Sequence, residues 1–384
     1  MLSVSKKIPL IAALSLCIAG SAFAAEDLIV KIGHVAPISG PIAHLGKDNE
    51  NGAIMAIDEL NAKGIMIGGK KVKFDLLSED DGSDPKQGTA AAQKLVDAKV
   101  NAVVGHLNSG TSIPASKIYY NAGIPQISPS ATATAYTMQG FTSTFRVVAN
   151  DGQLGGTLGR YAVKEIHAKR VAIIDDRTAY GQGVAAEFKK GLNSKVSGVE
   201  IVSEQYTNDK ATDFNAILTA IKFKNPDLIF FGGMDAVAGP MLRQMKGLGI
   251  RAKFMGGDGV CTTQLVALAG DALADGQVIC AEAGGVFDAQ KKAAADFRAA
   301  YKKKFGTEVQ LYAPYVYDAV MTFADAMQQA KSSDPAIYLP FLKKIHHLGI
   351  TGDIQFSPRG DLKEGTLSLY TYKAGKRELL LVTK

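Results

Sequence analysis

Apolar positions along the chain switch repeatedly between two periods. Residues 30–35 form a short apolar run ending in the loop Ala36-Pro37-Ile38-Ser39-Gly40-Pro41; Ala53, Ala56, Ile57 and Leu60 then recur at helical spacing until Gly64. Val72, Phe74 and Leu76 alternate as a second strand, and Asp84-Pro85 opens a helix carrying Ala91, Leu95 and Val96. The run 102–105 has no polar face, as suits a strand covered on both sides. A helix near 112–121 leads to a strand at 124–128. After residues 145–148 the rhythm restarts, with strands at 171–175, 199–204, 228–232 and 253–256 and helices near 152–165, 183–192, 214–223 and 237–248. Such alternation predicts an α/β chain with two doubly wound parallel sheets in tandem. The tail departs from it: a strand at 277–281 precedes helices at 291–304 and through Tyr315, Ala319, Phe323 and Met327. A hairpin, 366–372 with 378–382, then turns at Ala374-Gly375.

The first 24 residues read differently. Lys6 and Lys7 precede an apolar run over 8–18, and Ala22-Phe23-Ala24 supplies a small-x-small cleavage pattern, the order of a secretory signal peptide. The run is too short to span a bilayer. Cys17 sits inside it between Leu16 and Ile18, which argues against lipid attachment. The expected product is an exported soluble protein, placed in the periplasm. Losing the leader lowers the net charge from +6 to +4. Only Cys261 and Cys280 then remain. In an oxidising compartment they could pair, closing a loop worth on the order of 3 kcal/mol, or stay as two buried thiols.

Composition narrows the function. A length of 384 residues fits two domains, and 43 basic against 37 acidic side chains give too weak a field to argue for nucleic acid. Three cysteines exclude a Cys₄ zinc site, and the six histidines are scattered, so no metal site or cofactor is expected. No GxSxG, HExxH, GxGxxG or CxxC motif occurs. The loop Gly105–Ser112 (GHLNSGTS) imitates a phosphate loop but lacks its lysine. The basic run Tyr301-Lys302-Lys303-Lys304 suits a solvated helix end. No catalytic team is visible.

Two loops at strand ends carry different chemistry. Leu107-Asn108-Ser109-Gly110-Thr111-Ser112 and Ser128-Pro129-Ser130-Ala131-Thr132 combine small residues, hydroxyls and a following helix. Ligands of open α/β sheets sit beyond the carboxyl ends of the strands. Free backbone N–H groups and hydroxyls there favour a carboxylate, although ordinary helix capping uses the same residues.

These loops belong to a wider set of blocks: SGPIAHLG (39–46), DDGSDPKQ (80–87), GHLNSGTSIPAS (105–116), ISPSATA (127–133), DDRTAYGQG (175–183), GGMDA (232–236), FMGGDGV (254–260) and GDLKEG (360–365). Through them the chain, from Ile32 to its C-terminus, resembles the periplasmic branched-chain amino-acid-binding proteins, soluble receptors of ABC importers. The resemblance implies the type I periplasmic binding protein fold, two Rossmann-like doubly wound lobes joined by a three-crossing hinge. Residues 25–148 with 278–354 would form the first lobe and 149–277 with 355–384 the second. It places the ligand carboxylate on Ser109, Ser130 and Thr132, and the ammonium on Asp258, with Ser130 and Thr132 nearby. The side-chain pocket falls on Leu45, Leu107, Asn108 and Ala131, with Tyr180, Met234 and Tyr312 completing it. Asp258 stands for a Glu of the best-known relatives, Leu45 for an aromatic and Met234 for a Tyr; Ser83 and Asn108 replace a cystine. The implied protein is a monomer that is not an enzyme and delivers a neutral amino acid to the inner-membrane permease. Receptors for amides, urea-like solutes or aromatic acids, and sensory ligand-binding modules, are the alternatives.

Overall fold

The computed structural model describes Leu2, residues 27–285 and residues 289–383; apart from Leu2 the expected leader lies outside the described residues. The first lobe begins with β1 (Leu28–Ala36), α1 (Ala43–Lys63), β2 (Met66–Ile67), β3 (Lys70–Asp80), α2 (Pro85–Asp97), β4 (Ala102–Gly105), α3 (Ser109–Asn121), β5 (Gln126–Ser128) and β6 (Thr144–Arg146). Its sheet runs β2-β3-β1-β4-β5-β6, parallel except for the short β2. Helix starts follow the chain's chemistry. Asp84 caps α2 by accepting from the amides of Lys86 and Gln87, with Pro85 at the first helical position.

The second lobe holds α4 (Asp151–Lys164), β7 (Arg170–Asp175), α5 (Ala179–Leu192), α6 (Ser194–Ser197), β8 (Glu200–Tyr206), α7 (Asn215–Phe223), β9 (Leu228–Gly232), α8 (Asp235–Gly247), β10 (Lys253–Gly256), α9 (Leu265–Ala269) and β11 (Val278–Glu282). The chain then returns to the first lobe with α10 (Lys291–Phe305), α11 (Ala313–Ala330), α12 (Pro335–Leu342), β12 (His347–Leu348) and β13 (Asp353–Ile354), and ends in β14 (Leu367–Lys373) and β15 (Lys376–Thr383). The second sheet runs β15-β14-β11-β10-β9-β7-β8, with the expected terminal hairpin as its antiparallel edge. The two-lobed α/β architecture is the one the sequence implied.

Two lobe boundaries shift. Residue 278 was expected to open the return to the first lobe. Instead β11 lies inside the second sheet, parallel to β10 and antiparallel to β14, with all five residues buried. A strand with four successive apolar residues and no exposed face needs cover on both sides, so the crossing comes after Glu282. Residues 355–384 were expected in the second lobe. Instead the segment around Gly360 and Asp361 stays on the first: Arg146 N donates to Gly360 O at 2.9 Å, and the buried Arg146 guanidinium lies 2.8 Å from the Asp361 carboxylate. That buried cation needs the Asp361 charge, which holds the segment against β6.

Each sheet is covered on both faces. In the first lobe α1 and α11 pack together on one side and α2 and α3 on the other; in the second, α4 lies against α5, opposite α8 and α9. Phe188 of α5 stacks on Phe230 of β9 with centroids 3.9 Å apart. Cys261 and Cys280 are joined, their Cα atoms 5.2 Å apart, so the pairing alternative holds and the two-thiol one does not.

Candidate functional site

The strand ends of the first lobe build one wall of the cleft. Gly105 ends β4 with φ +130 and a cis peptide to His106, and a Cβ there would lie 2.5 Å from Val35 O, so only glycine fits. The His106 carbonyl accepts from both Ser112 Oγ (3.0 Å) and Ser128 Oγ (2.8 Å). Ser128 Oγ in turn accepts from Ala131 N at 2.9 Å, Ser130 Oγ donates to Leu107 O at 3.0 Å, and Ser109 Oγ accepts from Ala133 N at 3.2 Å. Below them the buried His106 ring meets Asp81 Oδ2 and Tyr119 OH, each at 3.0 Å. The two hydroxyl loops are thereby stitched into one rigid surface. What stays free is narrower than expected from sequence. Ser130 spends its hydroxyl proton within the protein, whereas Ser109 keeps its own, and the first amides of α3 have no acceptor within the helix.

The opposite wall carries one carboxylate. Asp258 follows β10 in a single 3₁₀ turn and is buried. Its Oδ1 accepts from Tyr180 OH and its Oδ2 from Tyr312 OH, both at 2.8 Å. Burial pushes its pKa up to about 6, against the pull of the two phenols. Burial also drives both phenols well above their usual range, so they remain donors. The glycines around Asp258 are steric. A Cβ at Gly257 would meet Tyr180 OH at 2.5 Å, and one at Gly259 would meet Met234 Sδ at 2.6 Å and Gly233 O at 2.8 Å.

Tyr180 and Tyr312 come from different lobes. Thr178 caps α5, its Oγ accepting from Gly181 N, and so sets Tyr180 at the cleft. Tyr312 precedes α11 in the first lobe, where the amides of Gln310, Leu311, Tyr312 and Ala313 all donate to the buried Asp48 carboxylate at 2.7–3.0 Å. Burial outweighs even these four donors and raises the Asp48 pKa. Asp48 was not expected. Its sequence signal is a carboxylate three residues after Leu45, on the face of α1 that continues through Gly52, Ala53 and Ala56.

A second unexpected carboxylate is Asp151, at the start of α4. It is fully buried, and neither side-chain oxygen has a hydrogen-bond partner; Thr132 Oγ1, beside it, also lacks one. Burial pushes its pKa up to about 8; the Thr132 hydroxyl lowers it, the Asp258 charge raises it and Arg146 lowers it.

Between the walls lies a small cavity lined by Leu107, Asn108, Ser109, Ser130, Tyr180, Met234, Asp258 and Tyr312. All eight were singled out from sequence. Leu45, Ala131 and Thr132 do not line it: Leu45 packs in the core, Ala131 turns its carbonyl to Arg146 Nη1, and Thr132 is buried beside Asp151. Past Asn108, Tyr180 and Met234 the space widens to an outer cavity that Ser83, Arg177 and Lys210 also border. Where the resemblance implied a lost cystine, Ser83 Oγ donates to Asn108 Oδ1 at 3.2 Å. Among the described residues no cluster of three or more His, Cys, Asp or Glu side chains could hold a metal, and no helix is long and apolar enough to cross a membrane.

Two hinged α/β lobes enclosing a small cleft, with helix-terminus donors on one wall and a buried carboxylate on the other, define a solute receptor. The chain belongs to the periplasmic binding protein family, whose sequence profile matches residues 29–377. It is 37% identical over 357 residues to Leu/Ile/Val-binding protein homolog 1 of Brucella abortus (strain 2308), covering 93% of this chain and 92% of that one. The leucine binding protein LivK of Thermotoga maritima superposes with a TM-score of 0.83 at 25% identity, over 92% of this chain and 98% of that one. The substrate binding protein LivJ of Streptococcus pneumoniae, a branched-chain amino acid transporter component solved in complex with isoleucine, gives 0.81 at 29% identity, over 92% and 99%.

Proposed function

We propose that this chain is the periplasmic receptor of an ABC importer, capturing a branched-chain amino acid between its lobes and handing it unchanged to the permease. The observation that carries this reading is the opposition of poles across the cavity. Asp258 is buried with only neutral partners, two phenols and backbone amides, so it lacks a cation that an α-ammonium would supply. The first amides of α3 and the Ser109 hydroxyl face the same space and suit a carboxylate. Leu107, Met234 and the tyrosine rings leave an apolar surround for an aliphatic side chain, rewarded at about 25 cal/mol per Å² buried. The names of the Brucella and Thermotoga relatives and the isoleucine held by the Streptococcus protein support the same ligand class. An aromatic acid would supply the anion but leave Asp258 buried without a cation, which disfavours that alternative.

In this reading the chain acts as a monomer after loss of residues 1–24. Ligand-stabilised closure is a population shift, and the closed form is what the importer reads. Calorimetric titration with L-leucine, L-isoleucine and L-valine tests it, with benzoate and acetamide as controls. Binding of the amino acids and silence of the controls is the expected result; heat from benzoate alone would overturn it.

A further inference from the structure

His44 stands in the first turn of α1 in the first lobe, and Asp235 in the first turn of α8 in the second. Each is the chain neighbour of a residue that the resemblance placed in the pocket, Leu45 and Met234. His44 Nε2 donates to Asp235 Oδ2 across the cleft at 2.7 Å. The same oxygen accepts from Thr262 Oγ1 at 2.5 Å, while Oδ1 has no partner and Asp235 is fully buried. Neither His44 nor Asp235 lines the central or the outer cavity. The bond between them therefore joins the lobes without belonging to the ligand's surroundings.

We propose that His44 is a positioning residue for ligand capture: its hydrogen bond to Asp235 latches the two lobes in the closed state and so sets affinity without touching the ligand. The inference rests on the reading of the cleft as an amino-acid site. Opening the cleft separates the pair and lets water solvate Asp235. Closing it without His44 would bury that carboxylate on a single hydroxyl donor, and an under-satisfied buried charge disfavours the closed state. Apparent affinity scales with the population competent to close, so a weaker latch is read directly as weaker binding. Among the described residues three other side-chain bonds join the lobes: Tyr312 to Asp258, Thr263 Oγ1 with Gln310 Oε1 at 2.6 Å, and Tyr315 OH to Glu282 Oε1 at 2.8 Å. The first belongs to the ligand site and the second joins neutral groups. The third brings a donor to a buried charge, but at the end of β11, where the chain itself crosses between the lobes. The His44–Asp235 pair does the same away from that crossing and outside the cavity.

The test is calorimetric titration of L-leucine into the wild-type chain, His44→Ala and His44→Gln. His44→Ala is expected to weaken binding about tenfold, as for loss of a hydrogen bond to a charged group. His44→Gln, whose amide can still donate, is expected to recover most of that loss. Thermal midpoints of the ligand-free variants are expected to match wild type, which separates a latch from a folding defect. Binding by His44→Ala within about twofold of wild type overturns the latch, as does equal weakening in both variants. Failure of wild type itself to bind leucine counts against the functional reading. The latch is then decided by spin-label distances between the lobes of the ligand-free chain: a smaller closed population in His44→Ala supports it, and coincident distributions overturn it.

Discussion

Tyr312 reaches from the first lobe to donate its phenolic proton to Asp258 of the second, at 2.8 Å. One hydrogen bond thus ties the closed cleft to the group that would meet a ligand ammonium. Its removal therefore acts twice, loosening the seam and leaving Tyr180 as the remaining side-chain donor to Asp258. Tyr312→Phe keeps the ring that lines the cavity and deletes only the donor. Leucine affinity is expected to fall about tenfold or more by calorimetry, the range for a hydrogen bond to a charged group. Unchanged affinity would show that Tyr312 contributes only its ring.

Asp48 acts one step further from the cavity. Four consecutive amides ahead of α11 converge on its carboxylate, and they include the amide of Tyr312 itself. Asp48→Ala strands these donors inside the first lobe. The expected cost is at least about 3 kcal/mol in urea unfolding, since a single buried unmet donor costs about 1–3 kcal/mol and water can reach some of the four. Leucine affinity is expected to fall as well, because Tyr312 loses its fixed position. A variant that unfolds at the wild-type urea concentration would remove Asp48 from this role.

The Cys261–Cys280 bridge ties the end of the Asp258 turn to β11. It closes a loop of 19 residues in sequence separation, so its loss should free the unfolded chain by about 3 kcal/mol. Cys261→Ser with Cys280→Ser is expected to lower the thermal midpoint by several degrees. Leucine affinity is expected to change less than in Tyr312→Phe, because the tyrosines still hold Asp258. Equal melting of the double variant and the oxidised wild type would refute the stabilising role.

The strands and the helices far from the cleft were legible in periodicity alone, because apolar burial sets their phase. The helices that bound the cleft were read late at their N-termini. Helices α3, α5 and α8 begin at Ser109, Ala179 and Asp235, where spacing predicted starts near 112, 183 and 237. In their first turns Ser109, Gly110, Ala179 and Tyr180 border the cleft and Asp235 meets His44 across it, so these positions carry no core period. The lobe crossings were misplaced for a related reason. β11 reads as an isolated apolar run whichever sheet receives it, and the Gly360–Asp361 segment is held by single contacts to Arg146 that no pattern announces. Leu107, Asn108, Ser109 and Ser130 lie in loops that strand-end chemistry already singled out, whereas Tyr180, Met234, Asp258 and Tyr312 came through the resemblance. Asp48, Asp151 and the His44–Asp235 pair stayed hidden, because partners distant in sequence give them their meaning.

Acidity offers the broadest check on the site. With the cleft closed and empty, burial raises Asp258 to about 6 and Asp151 to about 8, whereas unfolded carboxylates titrate near 4. The folded chain then binds these protons more tightly than the unfolded chain. Their contribution to stability is complete below about pH 4 and is lost as pH rises, up to about 6 for Asp258 and up to about 8 for Asp151. Thermal melts without ligand are therefore expected to show these two groups lowering the midpoint by a few degrees from pH 5 to pH 8. Asp151→Asn should flatten the upper part of that decline. Leucine should reverse the preference at Asp258, because an ammonium beside it favours the ionised form. Binding then expels a proton below about pH 6, and the apparent Kd should rise toward tenfold per pH unit as the solution is made more acidic. Asp258→Asn should bind leucine weakly and without this acid dependence. An affinity independent of pH between 4 and 6 in wild type would place the ammonium somewhere other than Asp258.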